Sequence, residues 1–188
     1  MIEQAIRFLL ETVFLFFVFA ALTRFFMQVV RAPVKNPIAQ FSIAITDFLV
    51  RPLRRIIPGA GGFDWASLFT AWLGEFVLIL AVVALAAWPV LAEPRAIGCV
   101  AAIAAIRLIR LTIYLFMGAM FIWVILSWVS TYHPFAPFFR AFADPLLKPL
   151  QRRLPPIGGV DISPVFVLVA MQLILMLPVT WLENEARV

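Results

Sequence analysis

The feature that most constrains the fold of this chain is a segment that occurs twice. Asn36–Asp64 and His133–Asp161 align without a gap at a constant offset of 97 positions, and 13 of the 29 aligned pairs are identical. Ordinary residue frequencies would produce roughly two identities by chance. A repeat at a fixed period predicts an architecture of equivalent units. Each copy precedes a long apolar stretch, so we interpret the repeated unit as a membrane unit.

The apolar stretches have the length of membrane-spanning helices. A span needs about 20 residues, and a chain with 64% hydrophobic and 13% charged residues offers four such stretches. They are Thr12–Val30, Leu68–Trp88, Leu111–Val129 and Val165–Leu182. The segment before the third stretch, Ala96–Arg110, is too short for a fifth span. We expect it to form a short interfacial helix that turns into the third span.

The repeated segment itself has helical periodicity, with an apolar face in both copies. In the second copy Arg140, Asp144 and Lys148 follow at i,i+4 steps on the other face and predict ion pairs. A helix of this kind lies in the membrane interface or folds back onto the helix bundle, and both alternatives stay open. Prolines in its second half predict an irregular backbone there. These prolines are Pro52, Pro145 and Pro149.

Both copies end in a Gly-Gly-x-Asp sequence just before a span. The residues are Gly61, Gly62 and Asp64 in the first copy, and Gly158, Gly159 and Asp161 in the second. Glycine permits a positive φ, and the aspartates can cap the amides of the next helix. The alternative is that Asp64 and Asp161 form a symmetric pair near a pore or ligand.

The predicted fold is therefore an all-α integral membrane protein. Four transmembrane helices form two tandem repeats, over residues 1–95 and 96–188. Each repeat contains an amphipathic interfacial helix and a Gly-Gly-x-Asp turn between its spans. Asn36 and His133 open the two copies, and we expect both to start a helix.

Three polar side chains lie within the predicted spans. Glu75 and Gln172 are equivalent under the offset of 97, and Arg24 lies late in the first span. Ionisable groups inside a membrane are costly and usually face the bundle interior. We expect a structural ion pair between Arg24 and Glu75. The alternatives are an Arg24 side chain that extends to the interface and a path for ions.

The distribution of basic residues predicts the orientation of the chain. The two repeat loops share one side of the membrane and carry nine lysines and arginines, against five on the termini and the middle loop. The positive-inside bias favours cytoplasmic repeat loops and outward termini. A net charge of +5 in so apolar a chain indicates anionic lipid headgroups as partners, rather than nucleic acid.

The sequence from Asp144 to Pro149 and from Leu154 to Pro164, with Leu126-Ser127-Trp128 upstream, resembles the YggT family, also called YlmG. The resemblance covers nearly all of the chain and implies a two-unit bacterial protein of the inner membrane. The first copy departs at Trp65-Ala66-Ser67, where the Ser-Pro is lost. Members have been connected with osmotic tolerance, cell-division gene neighbourhoods, plastid nucleoid distribution and cytochrome b6 haem maturation. With one histidine and one cysteine, this chain is not expected to bind haem.

These observations favour a non-enzymatic membrane organiser, an assembly or osmotic-tolerance factor, with protein partners or a homo-oligomer and no cofactor, metal site or catalytic residue. The alternative is a small oligomeric ion channel or transporter with Arg24, Glu75, Gln172, Asp64 and Asp161 on the path. An enzyme is the weakest hypothesis, since it needs positioned titratable groups in a pocket. The candidate functional residues are Arg24, Asp47, Arg55, Gly61, Gly62, Asp64, Glu75, Asp144, Lys148, Arg152, Gly158, Gly159, Asp161 and Gln172.

Overall fold

The computed structural model of the protein describes residues 1–85, 94–129, 133–153 and 161–185. Helices joined by short connections make up these ranges. They are α1 (Ile2–Val29), α2 (Pro37–Ile56), α3 (Trp65–Leu85), α4 (Pro94–Val129), α5 (Ala136–Gln151), α6 (Ser163–Ile174), a π-helical turn (Leu175–Val179) and α7 (Thr180–Glu185).

Four helical stretches are long and apolar enough to cross a membrane, and each contains or overlaps a predicted span. They are Ile2–Val29, Trp65–Leu85, Ala96–Val129 and Ser163–Leu182. The first begins ten residues before the predicted Thr12, because the charged residues there do not end the helix. Arg7 and Glu11 form an i,i+4 ion pair with an N–O distance of 2.9 Å, which is compatible with a helix. Trp88 lies outside the described residues.

The expectation of a separate helix over Ala96–Arg110 is wrong. This segment is the first part of α4, a single helix of 36 residues that is about 54 Å long at 1.5 Å per residue. Contacts with α3 stabilise this first part of α4. Val100 and Ala104 are buried against Ile79, and the indole N–H of Trp72 donates to the Ala101 carbonyl over 3.2 Å.

The expected irregularity at the prolines is also wrong. α2 continues through Pro52 to Ile56, and α5 continues through Pro145 and Pro149 to Gln151. Each proline removes one backbone donor from the helix. All three rings are exposed, so the carbonyl groups left without an intrahelical partner lie on the outer surface of the helix.

α1 and α3 pack closely through small residues. Ala21 of α1 and Ala71 of α3 are fully buried in one cluster with Val18. A Cβ atom added to Gly74 would lie 2.8 Å from a methyl group of Val18, so the two backbones approach as closely as glycine permits. Small residues at such a contact are typical of helix pairs in membranes.

The two repeats meet where α2 and α5 begin. The Asn36 side chain accepts from the Ile38 amide (2.9 Å) and donates to the Pro134 carbonyl (3.3 Å). His133 Nδ1 accepts from the Phe135 amide over 3.4 Å. Both residues therefore stand at a helix start, as expected. Behind them, one apolar cluster joins four helices through Met27, Ala39, Ala119, Phe138 and Phe142.

Candidate functional site

A buried arginine lies at the centre of the polar site in the first repeat. The Arg24 side chain is 5% exposed and donates to Thr46 Oγ1 (3.1 Å), the Ile43 carbonyl (3.4 Å) and Asp47 Oδ1 (3.2 Å). Its Nε also lies 3.8 Å from Asp64 Oδ2. Two carboxylates and two neutral acceptors thus surround one guanidinium, which satisfies a charge that is otherwise costly inside a membrane.

The predicted ion pair between Arg24 and Glu75 is wrong. Arg24 lies near the end of α1, at the level of the turn that holds Asp64. Glu75 follows Asp64 by 11 residues of helix, which places it about 16 Å farther along α3. Its side chain is buried, and Oε2 has no hydrogen-bond partner among the described residues.

Asp64 accepts three hydrogen bonds in this site. Arg54 binds both carboxylate oxygens, Nε to Oδ1 over 3.2 Å and Nη2 to Oδ2 over 2.5 Å, and the Ser67 hydroxyl donates to Oδ2 over 2.5 Å. A two-pronged arginine–carboxylate contact is strong and directional. Burial raises the pKa of Asp64, but the hydrogen bonds from Arg54 and Ser67 outweigh it, and the pKa lies below its usual value.

The spacing of α2 brings its charged residues into this network. Asp47, Arg51 and Arg54 follow at steps of four and three and so share one helix face. Arg51 Nε lies 3.7 Å from Asp47 Oδ2. Thr46, on the buried side of α2, donates its hydroxyl to the Ser42 carbonyl over 2.7 Å and thereby presents a lone pair to Arg24.

The glycine pair of the first repeat positions Asp64. Gly61 and Gly62 have φ angles of 65° and 82°, in the left-handed region that favours glycine. The Gln28 side chain of α1 donates to the Gly62 carbonyl over 3.1 Å. This contact holds the turn against α1, next to Arg24. Gly158 and Gly159 lie outside the described residues.

The corresponding aspartates of the second repeat, Asp144 and Asp161, bind different partners. Asp144 pairs with Lys148 (2.7 Å) and Arg140 (3.7 Å), as the i,i+4 spacing predicts. Asp161 is exposed. It accepts from the Gln151 side chain (2.6 Å) and from the Ser163 amide at the start of α6 (2.9 Å).

Asp161 thus accepts the first amide of α6, as predicted. The capping role predicted for Asp64 is wrong, because its carboxylate binds Arg54 and the Ser67 hydroxyl and accepts from no amide of α3. Burial raises the pKa of the Asp161 carboxyl group. The hydrogen bonds from Gln151 and Ser163 lower this pKa by more than burial raises it, so the pKa lies below its usual value. Asp64 and Asp161 each bind side chains of their own repeat and do not form a pair.

The structure does not bring the five proposed path residues together. Arg24 and Asp64 meet, whereas Gln172 is exposed on α6 and Glu75 lies apart from both. The position equivalent to Arg24 is Phe121, which is 58% exposed. The second repeat therefore has no counterpart of the buried arginine.

Sequence reasoning selected Arg55 and Arg152 because they are identical in the two copies, but both side chains are exposed. The structure uses the preceding position instead, where Arg54 and Gln151 bind the equivalent aspartates. The sequence does contain a signal for Arg54: it follows Asp47 by seven residues, which is two helical turns, and therefore lies on the same face of α2. The other polar partners that the candidate set lacked are Thr46, Arg51 and Ser67.

Comparison with known proteins finds relatives that match this chain over most of both lengths. It is 38% identical over 195 residues to PA0392 of Pseudomonas aeruginosa, covering 94% of this chain and 89% of that protein. It is 32% identical over 172 residues to YggT of Escherichia coli K12, covering 91% and 87%. No solved structure matches it significantly. The profile of the CCB3/YggT family matches residues 3–85 and again residues 102–182. The chain, a multi-pass membrane protein by its four apolar helices, therefore belongs to the CCB3/YggT family.

Proposed function

We propose that this protein is a non-enzymatic organiser of the bacterial inner membrane, an assembly or osmotic-tolerance factor. It acts through α2 and α5, which bind anionic lipid headgroups and protein partners. The observation that carries this proposal is the set of exposed basic side chains on or just after the two helices. They are Arg51, Arg54, Arg55, Arg140, Lys148, Arg152 and Arg153.

Apolar side chains next to these charges support a position at the membrane interface. Phe48 and Ile56 of α2 are 72% and 78% exposed, although the opposite side of the helix is packed on α1. An apolar surface beside lysine and arginine is typical of helices that lie among lipid headgroups. In the proposed orientation the repeat loops are cytoplasmic, where anionic lipids attract basic segments.

The ion pairs of the first repeat support a structural role over a catalytic one. The carboxylates of Asp47 and Asp64 are bound to arginines, and Asp64 is held below its usual pKa. A catalytic acid or base must exchange a proton near its working pH. A carboxylate held in its charged form by Arg54 and Ser67 is suited to anchoring α2 instead.

The test is complementation of a deletion strain under osmotic shock. We expect the charge reversals Arg55→Glu, Lys148→Glu and Arg152→Glu to abolish growth, while the protein inserts at the wild-type level. Arg7→Glu, which reverses a charge at the far end of α1, is the control and should complement. Wild-type growth of all three α2 and α5 variants would sink the proposal.

A second candidate function, a small oligomeric ion channel or transporter, is favoured by Glu75. A buried carboxyl group with an oxygen that lacks a partner in the described residues is a feature of ion and proton sites in membranes. Flux into liposomes that contain the purified protein should then fall in Glu75→Gln, which keeps the shape of the side chain. Equal flux in wild type and variant would rule out this path.

A further inference from the structure

A cavity of about 700 Å³ lies between the end of α1, α2 and the turn before α3. Its volume is within the range of small-ligand sites. Four arginines and two aspartates line it, so the wall carries a formal net charge of +2. These residues are Arg24, Arg31, Arg51, Arg54, Asp47 and Asp64.

The positive charges of the cavity are unequally neutralised. Arg24 and Arg54 are bound to Asp47 and Asp64 within the network described above. Arg51 has one contact, at 3.7 Å, and is 80% exposed. The Arg31 side chain forms no ion pair or hydrogen bond with any described residue. Two guanidinium groups are thus available to a ligand, and guanidinium matches the geometry of a phosphate.

The backbone conformation of Arg31 independently indicates a functional role for this residue. α1 ends in a Schellman motif, in which the Ala32 amide donates to the Met27 carbonyl (2.8 Å) and the Arg31 amide to the Gln28 carbonyl (3.3 Å). The residue in the left-handed position is normally glycine, because a side chain is strained there. Here it is Arg31, with φ of 54°. Strain of this kind is concentrated at functional sites.

We propose that this cavity binds one phosphate group, held by Arg31 and Arg51. The group belongs to an anionic phospholipid headgroup or to free phosphate. The lipid source rests on the proposed function, since the cavity lies where a membrane-spanning helix ends. Arg24 and Arg54 form the positively charged wall behind the site, with the two aspartates fixing their positions.

The second repeat does not carry the same four arginines. The positions equivalent to Arg24, Arg31 and Arg54 are Phe121, Trp128 and Gln151. Of the four arginines, only Arg51 has a basic counterpart, Lys148. The second repeat therefore lacks the arginines that line the cavity, and we expect one tightly bound phosphate per chain.

Native mass spectrometry of the full chain in detergent tests this inference, with phosphatidylglycerol as probe and phosphatidylcholine as the neutral comparison. Arg31→Gly removes the guanidinium and also relieves the backbone strain, so it should fold at least as stably as wild type. We expect its affinity for the first phosphatidylglycerol to fall at least about tenfold, the loss of one charge-assisted hydrogen bond. Arg7→Gln removes one charge at the other end of α1 and should leave the affinity unchanged.

The outcomes separate the site from the broader proposal. Equal phosphatidylglycerol affinity in wild type and Arg31→Gly, with phosphatidylglycerol still preferred over phosphatidylcholine, would overturn this site and leave headgroup binding by α2 and α5 intact. No preference in any variant would overturn both. If inorganic phosphate binds alone with the same dependence on Arg31, the site stands and its ligand is free phosphate.

Discussion

Phe41 and Phe138 occupy equivalent positions of the two repeated helices, yet Phe41 is 52% exposed and Phe138 only 2%. The inner sides of the helices are alike: Ala39 in α2 and Ala136 in α5 are both buried. The difference comes from the neighbours. α5 is covered on a second side by the end of α1 and the start of α2. On the matching side of α2, Phe41 makes an edge-to-face contact with Phe16 of α1 and stays half exposed. Tandem repeats thus share a sequence without sharing an environment.

The polar content of the two repeats differs for a related reason. In the first repeat Arg24 is buried against Thr46 of α2, with Asp64 beside it. In the second the equivalent residues are Phe121, Ala143 and Asp161, and the aspartate is exposed. The first repeat therefore contains a buried charge network, whereas in the second repeat Ala143 is buried in an apolar cluster with Met120 and Leu147.

The largest expected effect is that of Arg24→Met. It removes the positive partner of Asp47 and of the buried Asp64, and breaking a buried pair costs about 3–5 kcal/mol. The measurement is unfolding in detergent by heat or denaturant. Phe121→Met, at the equivalent exposed position, should cost less than about 1 kcal/mol. Equal costs in the two variants would contradict the contrast between the repeats.

Phe138→Ala should destabilise by about 2–3 kcal/mol, because it leaves a cavity between α5 and the first repeat. Phe41→Ala removes the same side chain from an exposed site, and we expect a loss below about 1 kcal/mol. The same unfolding assay measures both. A larger loss for Phe41→Ala would show that the outer side of α2 is covered in the membrane, for example by a second copy of the chain.

Asp64→Asn should cost about 2 kcal/mol at pH 7, since Arg54 loses its charged partner. The lowered pKa of Asp64 also predicts a pH dependence. Its stabilising contribution is complete above the unfolded-state value of about 4 and is lost as the pH falls through the lower folded-state value. Wild type should lose more stability than Asp64→Asn between pH 7 and pH 3.

Asp161→Asn is the control for that comparison. The exposed Asp161 caps α6, and asparagine is an equally good cap, so we expect little change at pH 7. Because hydrogen bonds also lower the pKa of Asp161, this variant should lose part of the wild-type acid dependence, but less than Asp64→Asn, since the Asp161 carboxylate is exposed. A flattened acid profile in Asp161→Asn but not in Asp64→Asn would contradict the assignment.

The smallest effect is expected for Gln151→Arg, which places the first repeat's residue in the second. The new ion pair with Asp161 is exposed, and exposed pairs contribute about 0–1 kcal/mol. Stability should therefore change by less than about 0.5 kcal/mol. The same unfolding assay measures it, and a large gain would show that Asp161 is shielded from solvent in the membrane.

The sequence by itself determined the four spans and the helix starts at Asn36 and His133. These follow from local hydropathy and local hydrogen bonds, which do not depend on distant residues. The family follows from residue identity along the chain. The ion pairs of Asp144 were also predictable from local sequence, because both partners lie one turn away on its own helix.

Tertiary structure alone decided which residues form the site. The partners of Arg24 depend on how α2 docks against α1, and a rotation of one residue, about 100° around the helix, separates the bound Arg54 from the exposed Arg55. The continuity of α4 through Ala96–Arg110 depends on its contact with α3. Burial of Phe138 but not Phe41 depends on a neighbouring repeat. Such contacts join residues far apart in the chain, so the local sequence pattern does not specify them.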